Sequence, residues 1–484
     1  MKFLKITFAL LLLTSCSSDK NLGRNIQKDV ATDFLNKDSN ISSSSPSEKW
    51  WMEFNDPLLN QLVELGLKNN KDIQVANLAI VTSRQLNNIN ITNLLPSGSA
   101  GIGRQRFSSP GFGSNGVSYD LYQSTFDAAW ELDFFGKNLD RYKAGKLRFL
   151  KEAQLYKASA IRITSEIAQN HIELKRLQKQ IKNLQEISNL REQLSAIAEQ
   201  KERNGTSHKA NIYKAEIDFH SASSSLLEAQ TNEKVLTYRL AVLVGTTPEN
   251  ILEILSQPNG KEIFDYSSGL VPVGLKSDIL KRRPDIIAAE YEIDAADFDQ
   301  SAQFKEFFPS FNLFAKVGGG SKDLGEMLNR GANIKDIRGT VSVPIFSIGH
   351  LLAEYKISKA KAKIAILNYE KTVLTALEEC ESQLARYINS LQIEKHSKHS
   401  LSASKKILQI DENKKRLGVI SNEEFLNSKI AELNSENQMA QKKSESLLGL
   451  ITLHKTLGGG FEGYEMHFEK DRVFWKERKI AAND

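Results

Sequence analysis

The chain has 484 residues, long enough for two or three ordinary domains or for one elongated one. Its 64 Lys and Arg against 59 Asp and Glu leave a net charge of +5, and no basic block is dense enough to act as a nucleic-acid arm. Prolines are few and sit at junctions, leaving long stretches free for helix.

The first residues form a targeting segment. Lys2 and Lys5 flank the start of an apolar run from Phe3 to Leu13 that is too short to span a bilayer as a helix, so residues 1–15 read as a signal peptide. Leu13-Thr14-Ser15-Cys16 resembles the bacterial lipobox, which implies cleavage before Cys16 and acylation of that residue. The alternative is a plain signal peptide with an incidental cysteine. Ser17, standing where an inner-membrane sorting pattern would have Asp, implies the outer membrane. If Cys16 carries lipid, Cys380 has no partner for an internal disulfide. Residues 16–49, rich in Ser, Asn and Asp, read as a flexible tether.

The rest of the chain is duplicated. Asp72, Ile73, Ala76 and Ile80 recur 213 residues later as Asp285, Ile286, Ala289 and Ile293. The same offset joins Pro96 to Pro309, Gly136 to Gly349, Arg203 to Arg416, Gly205 to Gly418 and Gly245 to Gly458. Residues 50–245 and 270–458 are therefore two copies of one unit, with 246–269 as a connector and 459–484 as a C-terminal segment.

Each copy opens with a helical pattern, Leu58 through Ile80 in the first and Ile286 to Phe304 in the second, closed by Pro96 or Pro309. Strand-like runs follow, in hairpins spanning about 97–134 and 310–346. Phe126, Ala128, Trp130, Leu132 and Phe134 alternate with Asp127, Glu131 and Asp133. Ile337, Val341 and Val343 alternate with Arg338, Thr340 and Ser342, and Leu313, Ala315 and Val317 with Asn312, Phe314 and Lys316. The Gly-rich run Ser97 to Phe107 is the weakest of the four. Period-two alternation fits either a half-buried soluble sheet or a membrane-barrel strand, and taken alone favours the soluble one.

Long helices come next. From Asn138 to Arg203 there is no proline and one glycine, Gly145, so a continuous helix of roughly 100 Å is expected. A second helix runs from His208 to Val244, and copy two repeats the pair at His350 to Arg416 and Ser421 to Leu457. The apolar stripe, with Ile163, Ile167, Ile172 and Leu174, is narrow, so coiled-coil-like packing is expected. Gly205 and Gly418 suit the left-handed position that ends a helix.

These motifs resemble the TolC-type outer-membrane factor family, in particular its OprM/NodT-like lipoproteins. The resemblance is carried by Trp51, Phe54 and Asp56-Pro57-Leu58, by Trp130 through Gly136, by Val271-Pro272-Val273-Gly274-Leu275, by Arg282-Arg283-Pro284-Asp285-Ile286 and by Val343-Pro344-Ile345-Phe346 with Gly349. It implies a mixed, mainly α fold. Three chains would each give four strands to a twelve-stranded membrane β-barrel, continued by a periplasmic α-helical barrel. It further implies Phe126, Trp130, Leu132, Val341 and Val343 facing lipid, and Asp127, Glu131, Asp133, Lys316 and Arg338 facing a water-filled lumen. Residues 108–118 and 319–336 would be extracellular loops, and Gly205 and Gly418 the periplasmic tip turns.

The tip departs from the family. Glu202 and Lys415 stand where it usually has Tyr, and Leu426-Asn427-Ser428-Lys429 lacks its acidic residue. Arg203, Asp411, Glu412, Lys415 and Arg416 are candidates for a charged ring that shuts the tip; solvated helix-end charges are the alternative.

Enzymatic chemistry finds no footing. His396 and His399 share a polar helix face without the acid of a zinc motif, and Gly318-Gly319-Gly320 and Gly458-Gly459-Gly460, read as loop and helix-end glycines, lack a P-loop lysine. The expectation is therefore no catalysis, no metal and no cofactor, and passive conduction as a homotrimer. Partners would be a periplasmic adaptor, a resistance–nodulation–division type transporter and outer-membrane lipid, with no nucleic acid. A type I secretion duct is the alternative within the class, and a periplasmic coiled-coil lipoprotein the alternative outside it.

Overall fold

The computed structural model describes residues 33–36, 41–42, 44, 47, 49–109, 117–256, 263–266, 271–327, 333–459, 464–469 and 472–477. The signal segment, Cys16 and most of the expected tether lie outside them. A single turn of 3-10 helix, Trp50–Phe54, leads into α1 (Pro57–Asn69). Pro57 occupies the first turn, where a missing N–H costs nothing, and the Asp56 carboxylate accepts from the Leu59 amide at 3.0 Å.

The opening helical pattern is two helices, not one. The chain breaks at Asn70, whose side chain accepts from the Asp72 and Ile73 amides and so starts α2 (Lys71–Thr92). Its Nδ2 donates to the Leu243 carbonyl at 2.8 Å. The break is thus held by a residue far along the chain.

Strands β1 (Ser97–Ser109) and β2 (Val117–Leu132) form the first hairpin; β3 (Ser310–Ser321) and β4 (Asn333–Ser342) form the second. They make one antiparallel sheet in the order β1-β2-β3-β4. The other main helices are α3 (Lys137–Arg203), α4 (Lys209–Val244), α5 (Pro248–Leu255), α6 (Pro284–Lys305), α7 (Ile348–Arg416) and α8 (Asn422–Thr456). A single helical turn at Ile279–Arg282 precedes α6, Ile41–Ser42 pairs in parallel with Val271–Pro272, and a hairpin of strands 464–469 and 472–477 follows α8. The duplication is visible in the bounds: α2 and α6 differ by 213 at both ends. Gly205 and Gly418 both have φ +71°, and Gly245 and Gly458 end α4 and α8 at φ +76° and +73°.

The core lies where the long helices cross α1, midway between sheet and tip. It buries Trp50, Leu59, Leu62, Ile163, Ile167, Leu240, Val373 and Ile451. A smaller cluster of Leu184, Ile187, Leu426 and Ile430 holds the helix pairs together nearer the tip. Cys380 is buried in the main core, its Sγ donating to the Thr456 carbonyl, and burial pushes its thiol up to about 11.

His454 of α8 is stacked on Trp50, ring centroids 5.4 Å apart and planes 7° from parallel. Burial lowers its pKa to about 4 from 6.5. The unfolded chain therefore binds the proton that the folded chain refuses between those values. The contribution of His454 to stability is complete above pH 6.5 and is lost as pH drops towards 4, by on the order of 3 kcal/mol. His454→Phe should flatten the pH dependence of the denaturation midpoint over that window; an unchanged slope would remove His454 as its source.

Candidate functional site

The pairing register sorts the sheet into two faces. Phe126 lies opposite Val317 and Ala100, Trp130 opposite Leu313, and Leu132 opposite Phe311, which lies opposite Val341. Ile337 lies opposite Ala315. On the other face Asp127 lies opposite Lys316, which lies opposite Asp336, and Glu131 opposite Asn312. Arg338 lies opposite Phe314. The first face is apolar yet open: Phe126, Trp130, Leu313, Val317, Val341 and Ile337 are exposed, from 38% at Trp130 to 86% at Ile337, while Leu132 and Phe311 are half-buried. A soluble sheet would bury it, because an exposed apolar patch of this extent marks contact with something apolar. The second face is charged and locally balanced: Lys316 is 3.8 Å from Asp127, and Arg338 3.0 Å from Asp336. In one chain the outer edges of β1 and β4 have no strand partner among the described residues.

Several expectations change in detail. Asp133 is not on a strand. It follows β2 and accepts from the Asn138 and Leu139 amides at 3.1 and 2.8 Å, capping α3 after the left-handed Gly136. Val343 lies one residue beyond β4, where Pro344 has no N–H to extend the ladder. Gly318-Gly319-Gly320 are not loop glycines: they lie in β3, so that strand reaches Ser321 and β4 resumes at Asn333 inside the expected 319–336 loop. A Cβ at Gly318 would sit 2.1 Å from the Ser124 carbonyl oxygen, so glycine here permits a close approach of strands. The Gly-rich run after Pro96 is a full 13-residue strand.

Below the sheet, α3 and α6 are joined by ion pairs that sequence reading missed. Lys137 pairs with Glu306 at 3.3 Å, Arg141 with Glu306 at 2.5 Å, and Lys151 with Glu292 at 3.0 Å. Lys305 pairs with Asp140, and Arg148 with Asp299. The signal was there in the acidic spacing of Glu292 and Asp299 against basic α3, but it needed the two helices brought together. In the core, Asp56 and His171 are both fully buried, and Asp56 Oδ2 lies 2.8 Å from His171 Nε2.

At the far end, the five tip candidates do not form one network within a chain. Arg203 pairs with Glu199 on its own helix at 3.1 Å, and Arg416 donates to Asn413. Asp411 accepts from Ser428 of α8 and lies 3.8 Å from Lys414. The Lys415 ammonium is 4.2 Å above the Phe425 ring, and Glu412 is exposed. Besides the apolar cluster, ion pairs tie the two helix pairs together: Lys201 with Glu423, Lys429 with Glu186 and, at 3.3 Å, Lys179 with Glu436.

Comparison with known proteins agrees with this architecture. The family model described as "Outer membrane efflux protein" matches residues 62–246 and 275–459, and both ends of the second stretch lie 213 residues after those of the first. The chain is 28% identical over 422 residues to a probable efflux pump outer membrane protein, TtgC, of Pseudomonas putida, covering 86% of each. It is 23% identical over 425 residues to a probable outer membrane lipoprotein, SilC, of Salmonella typhimurium, covering 85% of this chain and 88% of that one. The crystal structure of the Campylobacter jejuni CmeC outer membrane channel superposes with a TM-score of 0.82 at 23% identity, covering 90% of this chain and 93% of that one.

Proposed function

The chain belongs to the outer membrane efflux protein family, and from that premise we propose that three copies close one duct, fed by a pump from the periplasmic side. The observation that carries this reading is the four-stranded sheet with an apolar, exposed face and two open edges, set at the end of helices roughly 100 Å long. In lipid an open edge leaves backbone groups without partners, so the edges must close. Three sheets of four strands give a barrel of twelve.

Phe126, Trp130, Leu132 and Val341 then face lipid, with Val343 at its border, while Asp127, Glu131, Lys316 and Arg338 line the lumen. Asp133 lies at the barrel's base, where it holds α3. The helices supply the remaining surfaces for a second copy. Val75, Leu78, Leu86 and Ile89 of α2 and Ile357, Ile364 and Leu367 of α7 are exposed and apolar. Because α6 rests on α3 inside one chain, the 213-residue repeat sets α2 against α7 of the next chain. The seam inside a chain is ionic, and the seam between chains is apolar.

The reading includes acylation at Cys16, in keeping with a relative described as an outer membrane lipoprotein. It also includes a periplasmic adaptor at the Gly205 and Gly418 turns, and a resistance–nodulation–division type transporter beyond it. Conduction is passive: the duct supplies a water path lined by fixed polar groups, and the transporter supplies the energy. Outer-membrane fractions should contain a heat-modifiable trimer; a monomeric soluble chain would overturn the reading. At the tip, Asp411→Asn with Arg416→Gln should raise single-channel conductance in planar bilayers, since the Ser428 and Asn413 contacts that order the helix ends are weakened. Unchanged conductance would remove both residues from the gate.

A further inference from the structure

The apolar face of the sheet changes character towards the end away from the helices. On β2 the run from Leu132 to Phe126 gives way to Ser124, Tyr122 and Asp120 on the same face. Tyr122 is ten residues from Leu132, about 25 Å of height at about 3.3 Å per residue and a tilt of about 40°, which is the height of a bilayer's apolar band. Tyr122 therefore marks the outer interface. At and above its level the face turns basic. Arg104 lies opposite Tyr122 with its guanidinium 5.6 Å from the ring, and Arg106 lies opposite Asp120. Lys335 of β4 is exposed on the same face; within one chain it lies in the row of Val317 and Phe126, and the register across the seam between chains carries it one same-face position beyond Arg106. Against these three cations, Asp120 is the one carboxylate on this face among the described strand residues, and it pairs with Arg104 at 2.9 Å. Arg106 is held by a 3.4 Å hydrogen bond to the neutral Ser118 hydroxyl.

The repeat tells where these groups meet. They lie on the two edge strands, β1 and β4, at opposite sides of one chain's sheet. Inside the chain β2 pairs with β3 through Ala128 with Ala315, Phe126 with Val317, and Ser124 with Gly319. Carried forward by 213 residues on one strand and back by 213 on the other, this register joins β4 of one chain to β1 of the next. Val341 then lies opposite Ile102, Gly339 opposite Arg104, and Ile337 opposite Arg106. Lys335 follows at the next position on the same face. Gly339 brings no side chain, so Arg104 has open space across the seam.

We infer that each seam between chains carries a phosphate-binding site for outer-leaflet glycolipid, built from Arg104 and Arg106 of one chain and Lys335 of the next. The inference rests on the three-chain closure proposed above. Guanidinium groups bind phosphate oxygens bidentately, and an ammonium adds a point charge. The site lies at the depth where lipid phosphates sit, just above the aromatic level. Two cations remain unneutralised per seam, and each barrel has three seams.

Native mass spectrometry of the full-length protein tests this with lipid A, dephosphorylated lipid A and inorganic phosphate as probes. The wild type should appear as a trimer before lipid is added and should retain up to three lipid A molecules. Dephosphorylated lipid A should be retained at least tenfold less, and inorganic phosphate should not displace lipid A. The triple variant Arg104→Gln, Arg106→Gln, Lys335→Gln should remain trimeric and lose at least tenfold in lipid A affinity. Lys371→Gln, on exposed α7 well below the membrane, should lose nothing. Equal binding by the triple variant, equal binding of the dephosphorylated lipid, displacement by inorganic phosphate or an equal loss in Lys371→Gln would each overturn the site. Val341→Cys with Ile102→Cys should cross-link chains; a trimer that forms no such disulfide overturns the register. A wild type that is monomeric before lipid is added overturns the closure itself.

Discussion

Phe126→Arg should abolish the heat-modifiable trimer in outer-membrane fractions, whereas Asp127→Asn one residue away should leave it at wild-type level. Phe126 is exposed on the apolar face of β2, between Ala100 and Val317. A cation near the middle of a lipid-facing strand costs about 2–4 kcal/mol. Each barrel would carry three copies, and the next lipid-facing positions, Ala128 and Val317, offer no carboxylate. Asp127 is on the opposite face, beside Lys316 and accepting from the Thr125 hydroxyl at 3.1 Å. Its neutralisation should alter the ion selectivity of the open channel without preventing insertion. If Phe126→Arg inserts normally while Asp127→Phe does not, the two faces are assigned the wrong way round.

Asp56→Ala should be the most destabilising single change in the core, by roughly 3–5 kcal/mol in denaturant unfolding of the detergent-solubilised protein. Two buried groups lose their acceptor together. One is the Leu59 amide at the start of α1, a cap worth about 1 kcal/mol. The other is the His171 ring, fully buried, whose unmet polar group costs about 1–3 kcal/mol, and a cavity adds to it. Asp56→Asn keeps one oxygen for the amide and a polar group beside the ring, so it should lose less than half as much. A loss below about 1 kcal/mol for Asp56→Ala would mean that water or a neighbour replaces the carboxylate.

What the sequence made legible was whatever repeats locally. The offset of 213 carried the strands, long helices and turn glycines in parallel, because each copy must bury the same faces in the same order. What stayed hidden depends on distant partners. Asn70 breaks the opening helix because the Leu243 carbonyl, 173 positions away, meets its side chain. Asp133 continues the alternation of β2 but belongs to a helix cap, since polar alternation cannot tell a strand residue from the capping residue that follows it. The Gly-rich β1 shows no apolar pattern of its own and is a strand because β2 pairs with its whole length. The ion pairs of α3 with α6 and the Lys201–Glu423 and Lys429–Glu186 contacts join elements far apart in the chain. At the tip this matters for function: the candidate charges read from one turn are partly engaged on their own helices.

The two tip turns share a backbone but not a chemistry. Gly205 and Gly418 have the same φ, yet the first is flanked by Asn204, Thr206 and Ser207 and the second by Leu417, Val419 and Ile420, with Leu417 and Val419 exposed. In a three-chain duct the rim would carry six turns that alternate between wet and greasy. A docking protein with six identical subunits could not make six identical contacts there. It would have to present two different faces in alternation, or arrive as three asymmetric pairs.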